Sequence, residues 1–131
     1  MHNTLNRSQY RNFHSHKNLE VWILSVDLCA KIHSLTAEFP PEERLWMSLQ
    51  MRKCALSIPS NIAEGAARGS RREFIRYLRI AAGSASELDT QLIIAIRIGL
   101  LDTEEAERIT KELNSIRRLI QGLIRSLKGK N

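Results

Sequence analysis

Five arginines, Arg68, Arg71, Arg72, Arg76 and Arg79, fall within a dozen positions against a single acid, Glu73. A planar guanidinium grips phosphate with paired N–H donors and stacks on bases, which a lysine ammonium does poorly. Groups packed this densely have the chemistry to hold a polyanion. Tyr77 stands among them, either as a ring on which a base could stack or as an aromatic at the edge of a core. Arg117, Arg118 and Arg125 form a second basic run, which joins the first if the fold brings the two stretches to one end. No motif with a defined way of reading RNA or DNA accompanies them, so contacts to backbone and shape are expected. A merely solvated charged face would show the same pattern.

Residues that could run a reaction are sparse. A di-iron bundle needs Glu-x-x-His pairs on facing helices, and no glutamate here is followed three residues on by histidine. His33 is the one histidine in a helical pattern, so the body of the chain offers neither a triad nor a metal cluster. His14 and His16 have no nearby cysteine or carboxylate to complete a metal shell. Glu64, Glu87 and Asp89 are the central acids, and a paired-carboxylate site would need two of them to converge in a cleft. Pairing with arginines or across helices is their expected use. Cys29 and Cys54 are isolated at apolar helical positions, which suits buried reduced thiols better than a disulfide or zinc framework. No catalytic residue, metal, cofactor or small-molecule substrate is expected.

The elements that carry these side chains are all helical. At 131 residues the chain has the size of one domain, and a formal charge of +6 favours a polyanionic partner. Residues 1–17 lack periodicity and read as a mobile basic tail, and residues 18–131 as the folded body. The first helix is predicted from Leu19 to Phe39, ending at Pro40-Pro41. Its apolar residues form two stripes, Val21, Leu28, Ile32, Leu35 and Phe39 beside Trp22, Val26 and Cys29. The second helix is predicted to start at Pro41, with Glu42 and Glu43 in its first turn and Met47, Met51, Cys54, Ile58 and Ile62 facing inward. Pro59 interrupts it: the missing N–H and the ring's clash with the Ala55 carbonyl predict a bend. Ser57, Ser60 and Asn61 are at hand to bond freed backbone groups. Gly65 and Gly69 are expected to end this helix.

The third helix begins at a Ser70–Glu73 capping box. Phe74, Leu78, Ala81, Ala85, Leu88, Leu92, Ala95 and Gly99 follow at alternating four and three, the repeat of nearly antiparallel bundle packing. Small residues from Ala81 to Ser86, Gly83 included, suggest a close approach of another helix axis there. After a turn at Gly99 to Asp102, with Asp102 and Glu105 as an N-cap pair, the fourth helix carries Ala106, Ile109, Leu113, Ile116, Ile120, Leu123 and Leu127 inward. Four long helices, short links and no strand signal define an all-α, up-down-up-down antiparallel four-helix bundle. The apolar run from Leu92 to Ile96 is far short of a membrane span, and the N-terminus is too polar for a signal peptide, so a cytoplasmic protein is expected. Ile75, Ile80, Ile93, Ile96 and Leu100 lie off the main stripe, where they either widen the core or make subunit contacts.

The stretches SIPSNIAEG at 57–65 and SRREFIRYLRIAAGSASELDTQL at 70–92 resemble the 23S rRNA intervening-sequence protein family of bacteria, the S23-type four-helix bundles. The likeness covers roughly residues 18–127 and leaves out the N-terminal tail. It implies a ring-shaped homopentamer without known catalysis. A related group, the accessory variability proteins of diversity-generating retroelements, implies RNA and a reverse transcriptase as partners. The family motif falls on Pro59, Asn61, Glu64, Gly65, Glu73, Gly83, Ser84 and Glu87, expected to hold the second helix against the third. The combined expectation is a non-enzymatic, homo-oligomeric bundle that binds structured RNA through its arginines. The alternative is an adaptor whose main partner is a protein, such as a reverse transcriptase.

Overall fold

In a computed structural model, residues 19–129 are described. The expected tail, with His14 and His16, lies outside the described residues, as does the last basic residue, Lys130. The elements are α1 (Glu20–Ala37), a 3₁₀ turn (Pro41–Glu43), α2 (Met47–Ala67), α3 (Arg71–Arg97) and α4 (Thr103–Lys128), with no strand among the described residues. Each helix packs on its two sequence or ring neighbours, α1 on α2, α2 on α3, α3 on α4 and α4 on α1, and the diagonal pairs do not meet. This is the expected four-helix bundle.

Its core follows the stripes read from the sequence, except that Val26 of the second α1 stripe is exposed. Val21, Leu28, Ile32 and Phe39 are buried with Met47, Met51, Cys54, Ile58 and Ile62. Leu78, Ala81, Ala85, Leu88, Leu92 and Ala95 bring α3 to the same centre. On α4 the stripe drifts: Ile124 is buried while Leu123 and Leu127 are only half-buried. A straight helix of 3.6 residues per turn slips by about 20° per seven-residue repeat, enough to replace one inward residue by its neighbour after three repeats.

Local chemistry fixes the ends. Ser70 Oγ accepts from the Glu73 N–H at 3.1 Å and Asp102 Oδ1 from the Glu105 N–H at 2.8 Å, both as the sequence implies. At the end of α3, Gly99 has φ +80, its N–H bonds the Ile96 carbonyl, and the Leu100 N–H reaches back to Ala95. That double closure needs a residue tolerant of positive φ. The α2–α3 link turns at Gly69, with φ +82.

Three expectations need correction. The second helix does not start at Pro41: Glu43 N–H bonds Pro40 O and Arg44 N–H bonds Pro41 O, closing one 3₁₀ turn. Trp46, at φ −127 and ψ −96, then takes the chain out of helical geometry before Met47. Gly65 does not end α2, which runs on to Ala67. Instead a Cβ at Gly65 would stand 2.7 Å from Tyr77 Cβ and 3.1 Å from Phe74 Cδ1, so this glycine lets α2 and α3 touch. Gly83 has the opposite character: a Cβ there meets nothing within 4 Å, so the close approach of another helix axis expected at this residue does not occur.

Candidate nucleic-acid interface

Up-down topology places the end of α2, the start of α3 and the end of α4 at one end of the bundle. The hinge arginines sit there, and the helix carrying Arg117, Arg118 and Arg125 climbs toward them as α3 descends. Arg117 marks the register, donating from Nη2 to Ser86 Oγ at 2.6 Å and lying 3.9 Å from Asp89. Arg125 is two turns nearer the hinge end.

The eight arginines are not equivalent. Arg68 Nε donates to Glu64 Oε2 at 3.0 Å and its Nη2 to the Tyr77 hydroxyl at 2.7 Å. The guanidiniums of Arg68 and Arg76 lie 5.1 and 5.0 Å from the Tyr77 ring centroid, and Arg76 stands 3.8 Å from Glu73. The ring is therefore engaged by two cations of its own chain. Arg118 reaches Ser115 Oγ at 3.2 Å. Among the described residues, Arg71, Arg72, Arg79 and Arg125 are exposed and make no hydrogen bond or ion pair. Arg72, Arg76 and Arg79 line an open concavity of about 630 Å³ together with Glu73, and Arg117, Arg118, Gln121 and Arg125 line another of about 270 Å³. The structure thus separates arginines that hold the bundle, Arg68 and Arg117 above all, from arginines free to meet a ligand.

The fold and this arginine-rich hinge can be compared with known proteins. The pattern of the 23S rRNA-intervening sequence protein matches residues 17–122. The chain belongs to that family. A solved protein of unknown function from the S23 ribosomal protein family of Bacteroides thetaiotaomicron is similar to it, with a TM-score of 0.75 and 29% identity. The match covers 80% of this chain and 95% of the Bacteroides one. A search of the curated proteins gives no match.

In this intervening-sequence family member, the motif residues form a polar seam between α2 and α3. Asn61 Nδ2 donates to the Ser57 carbonyl at 2.8 Å and to Ser57 Oγ at 2.9 Å, and Ser57 Oγ lies 2.7 Å from Ser84 Oγ. One turn away, the Cys54 thiol donates to Glu87 Oε2 at 3.1 Å. Burial first, and then the Glu87 carboxylate, push the Cys54 thiol up to about 12. The three central acids do not converge: Glu64 pairs with Arg68, Glu87 takes the Cys54 thiol and Asp89 faces Arg117. Pro59 is buried within α2, and the carbonyl it leaves without a helical partner, that of Ala55, accepts instead from Cys29 Sγ at 2.9 Å. Burial raises the Cys29 thiol to about 11. The sequence reading saw the proline and the thiol separately, because only the packing of α1 on α2 joins them. It also missed Arg52, whose Nε and Nη2 bond Thr36 Oγ1 and the His33 carbonyl near the end of α1. A cation facing the last carbonyls of a helix is the usable signal, once the partner helix is known.

Among the described residues no group of three or more His, Cys, Asp or Glu is placed to hold a metal ion. No described helix is long and apolar enough to cross a membrane.

Proposed function

We propose that this protein is a non-catalytic, homopentameric bundle that binds structured RNA through the arginines of the α2–α3 hinge and the end of α4. The observation that carries the reading is the set of four unpartnered arginines, Arg71, Arg72, Arg79 and Arg125, on one end of a chain with net charge +6. Guanidiniums without intramolecular partners are paid no desolvation or entropy debt by their own fold, and they keep every donor for phosphate. Family membership supports an association with RNA. The non-catalytic part rests on the three central acids, Glu64 and Asp89 each paired with an arginine and Glu87 with the Cys54 thiol.

Assembly is supported by apolar surface. Leu45, at 84% exposure, Trp46, Leu49 and Leu56 stand out from α2 and its approach, and Ile80, Ile94 and Ile98 from α3. Of the five residues off the α3 stripe, Ile75, Ile96 and Leu100 pack on the core, whereas Ile80 and Ile93 remain exposed. A face of this kind suits contact with other copies. It equally suits a protein partner such as a reverse transcriptase, the adaptor reading.

The test couples both properties. Arg71→Glu, Arg72→Glu and Arg79→Glu together are expected to weaken binding of a structured RNA by at least about tenfold, given that each phosphate contact feeds the electrostatic part of binding. Light scattering should meanwhile hold the mass near five times 15.0 kDa. Unchanged RNA affinity rejects the site, and a monomer at micromolar concentration rejects the ring.

A further inference from the structure

A groove runs along the seam between α1 and α4, the least closely packed of the four neighbouring pairs. Two concavities make it, of about 510 and 170 Å³, and they share Lys31 and Glu112, whose ion pair bridges the seam. Leu35 and Ile109 give the larger one an apolar lining, and Glu38 and Glu105 line it as well. The charges there are uneven. Lys31 is held by Glu112, and Arg108, also in the lining, lies 4.0 Å from Glu104. The Glu38 and Glu105 carboxylates make no hydrogen bond or ion pair among the described residues. A groove that is apolar within and has two uncompensated acids suits an apolar side chain accompanied by a cation, and it repels phosphate.

The chain itself carries such a group. Arg44, Leu45 and Trp46 follow one another between the 3₁₀ turn and α2, and the core leaves Leu45 84% and Trp46 53% exposed. The Arg44 guanidinium has no hydrogen-bond or ion-pair partner among the described residues. Tryptophan and arginine are the side chains that most often dominate binding energy at protein interfaces.

Position connects the two. The group follows the end of α1, and the groove is lined by Glu38, just after α1, and by Glu105 in the first turn of α4. Both therefore lie at the same end of the bundle. The group stands at the start of α2, which does not meet α4, so it lies on a different side from the α1–α4 seam. With the bundle axes along a ring axis, a contact between two unlike surfaces at one height passes from copy to copy and closes a ring.

We propose that Arg44, Leu45 and Trp46 of one subunit seat in the α1–α4 groove of the next, the apolar pair against Leu35 and Ile109 and the guanidinium facing Glu38 and Glu105. The inference rests on the assembly reading above and gives it a specific contact between copies. The contact is at the end of the bundle away from the hinge arginines, so it leaves them open to a ligand.

Light scattering and sedimentation of the full chain over a range of concentrations test it. Leu45→Ala with Trp46→Ala is expected to raise the concentration at which the oligomer dissociates by at least about tenfold. The helical circular-dichroism signal should not change, because both side chains are exposed in the subunit. Arg44→Glu and Glu105→Arg are each expected to weaken assembly several-fold. Together they should restore it to within about threefold of the unaltered chain, since the exchanged charges meet again at every contact. An oligomer whose dissociation the apolar variant leaves unchanged overturns the contact, gives the groove to another occupant and lets the assembly reading stand. A combined charge variant as weak as the weaker single one overturns the pairing of Arg44 with the groove acids, and the seating with it. An unaltered chain that stays monomeric at every concentration overturns the assembly reading itself.

Discussion

Glycine is a single residue with two opposite uses in this bundle. At Gly65 an added methyl would sit 2.7 Å from Tyr77 Cβ, with backbone and ring of Phe74 just behind it. Neither neighbour is the loose end of a flexible side chain, so the helices must separate. Gly65→Ala is expected to destabilise the subunit by about 1–3 kcal/mol, the ordinary range for overpacking, despite alanine's better helix propensity. At Gly83 the same methyl meets nothing within 4 Å. Gly83→Ala should stabilise the isolated subunit by about 0.5–1 kcal/mol through helix propensity alone. Urea midpoints of the two variants measure both signs, and a stabilised Gly65→Ala would contradict the close α2–α3 contact. The sequence shows both glycines inside helical patterns and cannot tell them apart, because the difference lies in which helix stands opposite. The arginines are similar: their number and spacing are plain in the chain. Which of them are spent on Tyr77, Glu64 or Asp89 depends on where long side chains find partners after folding.

At the scale of the element, α2 shows how a helix absorbs its own proline. Pro59 withholds the N–H that would bond Ala55 O, and Cys29 of α1 supplies a thiol donor at 2.9 Å in its place. The two residues should therefore be coupled. Cys29→Ala alone leaves a carbonyl short of its partner, at a cost of about 1–3 kcal/mol. In a Pro59→Ala background the restored backbone N–H can serve that carbonyl, and Cys29→Ala should then cost measurably less. A double-mutant cycle by chemical denaturation reads the coupling directly, and additive costs would show the thiol contact to be incidental. The stripes, the Ser70 and Asp102 caps and the turn glycines were legible because each is written in a few adjacent residues. The late start of α2 was not: Pro41-Glu42-Glu43 suits a helical first turn as well as the 3₁₀ turn it forms, and the departure at Trp46 is a matter of backbone dihedrals rather than of residue type.

The whole molecule separates charge along its axis. Arg68, Arg71, Arg72, Arg76, Arg79, Arg125 and Lys128 gather where α2 meets α3 and α4 ends, against Glu20, Glu64 and Glu73. At the far end Glu38, Glu42 and Glu43 flank the α1–α2 link, and Asp102, Glu104, Glu105 and Glu107 open α4, against Arg44, Arg97 and Arg108. Where the bundle axes stand along the ring axis of the proposed pentamer, cyclic symmetry puts five basic ends on one face and five acidic ends on the other. The net charge of +6 per chain thus understates the field an RNA would meet on the basic face. The two ends are about 40 Å apart, the length of the 27-residue α3, whereas charges are screened beyond about 10 Å at 0.1 M salt. Glu104→Gln with Glu107→Gln should accordingly leave affinity for a structured RNA at 0.1 M salt within about twofold, although it raises the net charge by the same amount that an arginine pair contributes. Arg72→Gln with Arg79→Gln should instead reduce the slope of log affinity against log salt by about two for each subunit that touches the RNA. If removing the distant acids strengthens binding as much as removing the arginines weakens it, attraction follows total charge, and the basic end has no special claim to the ligand.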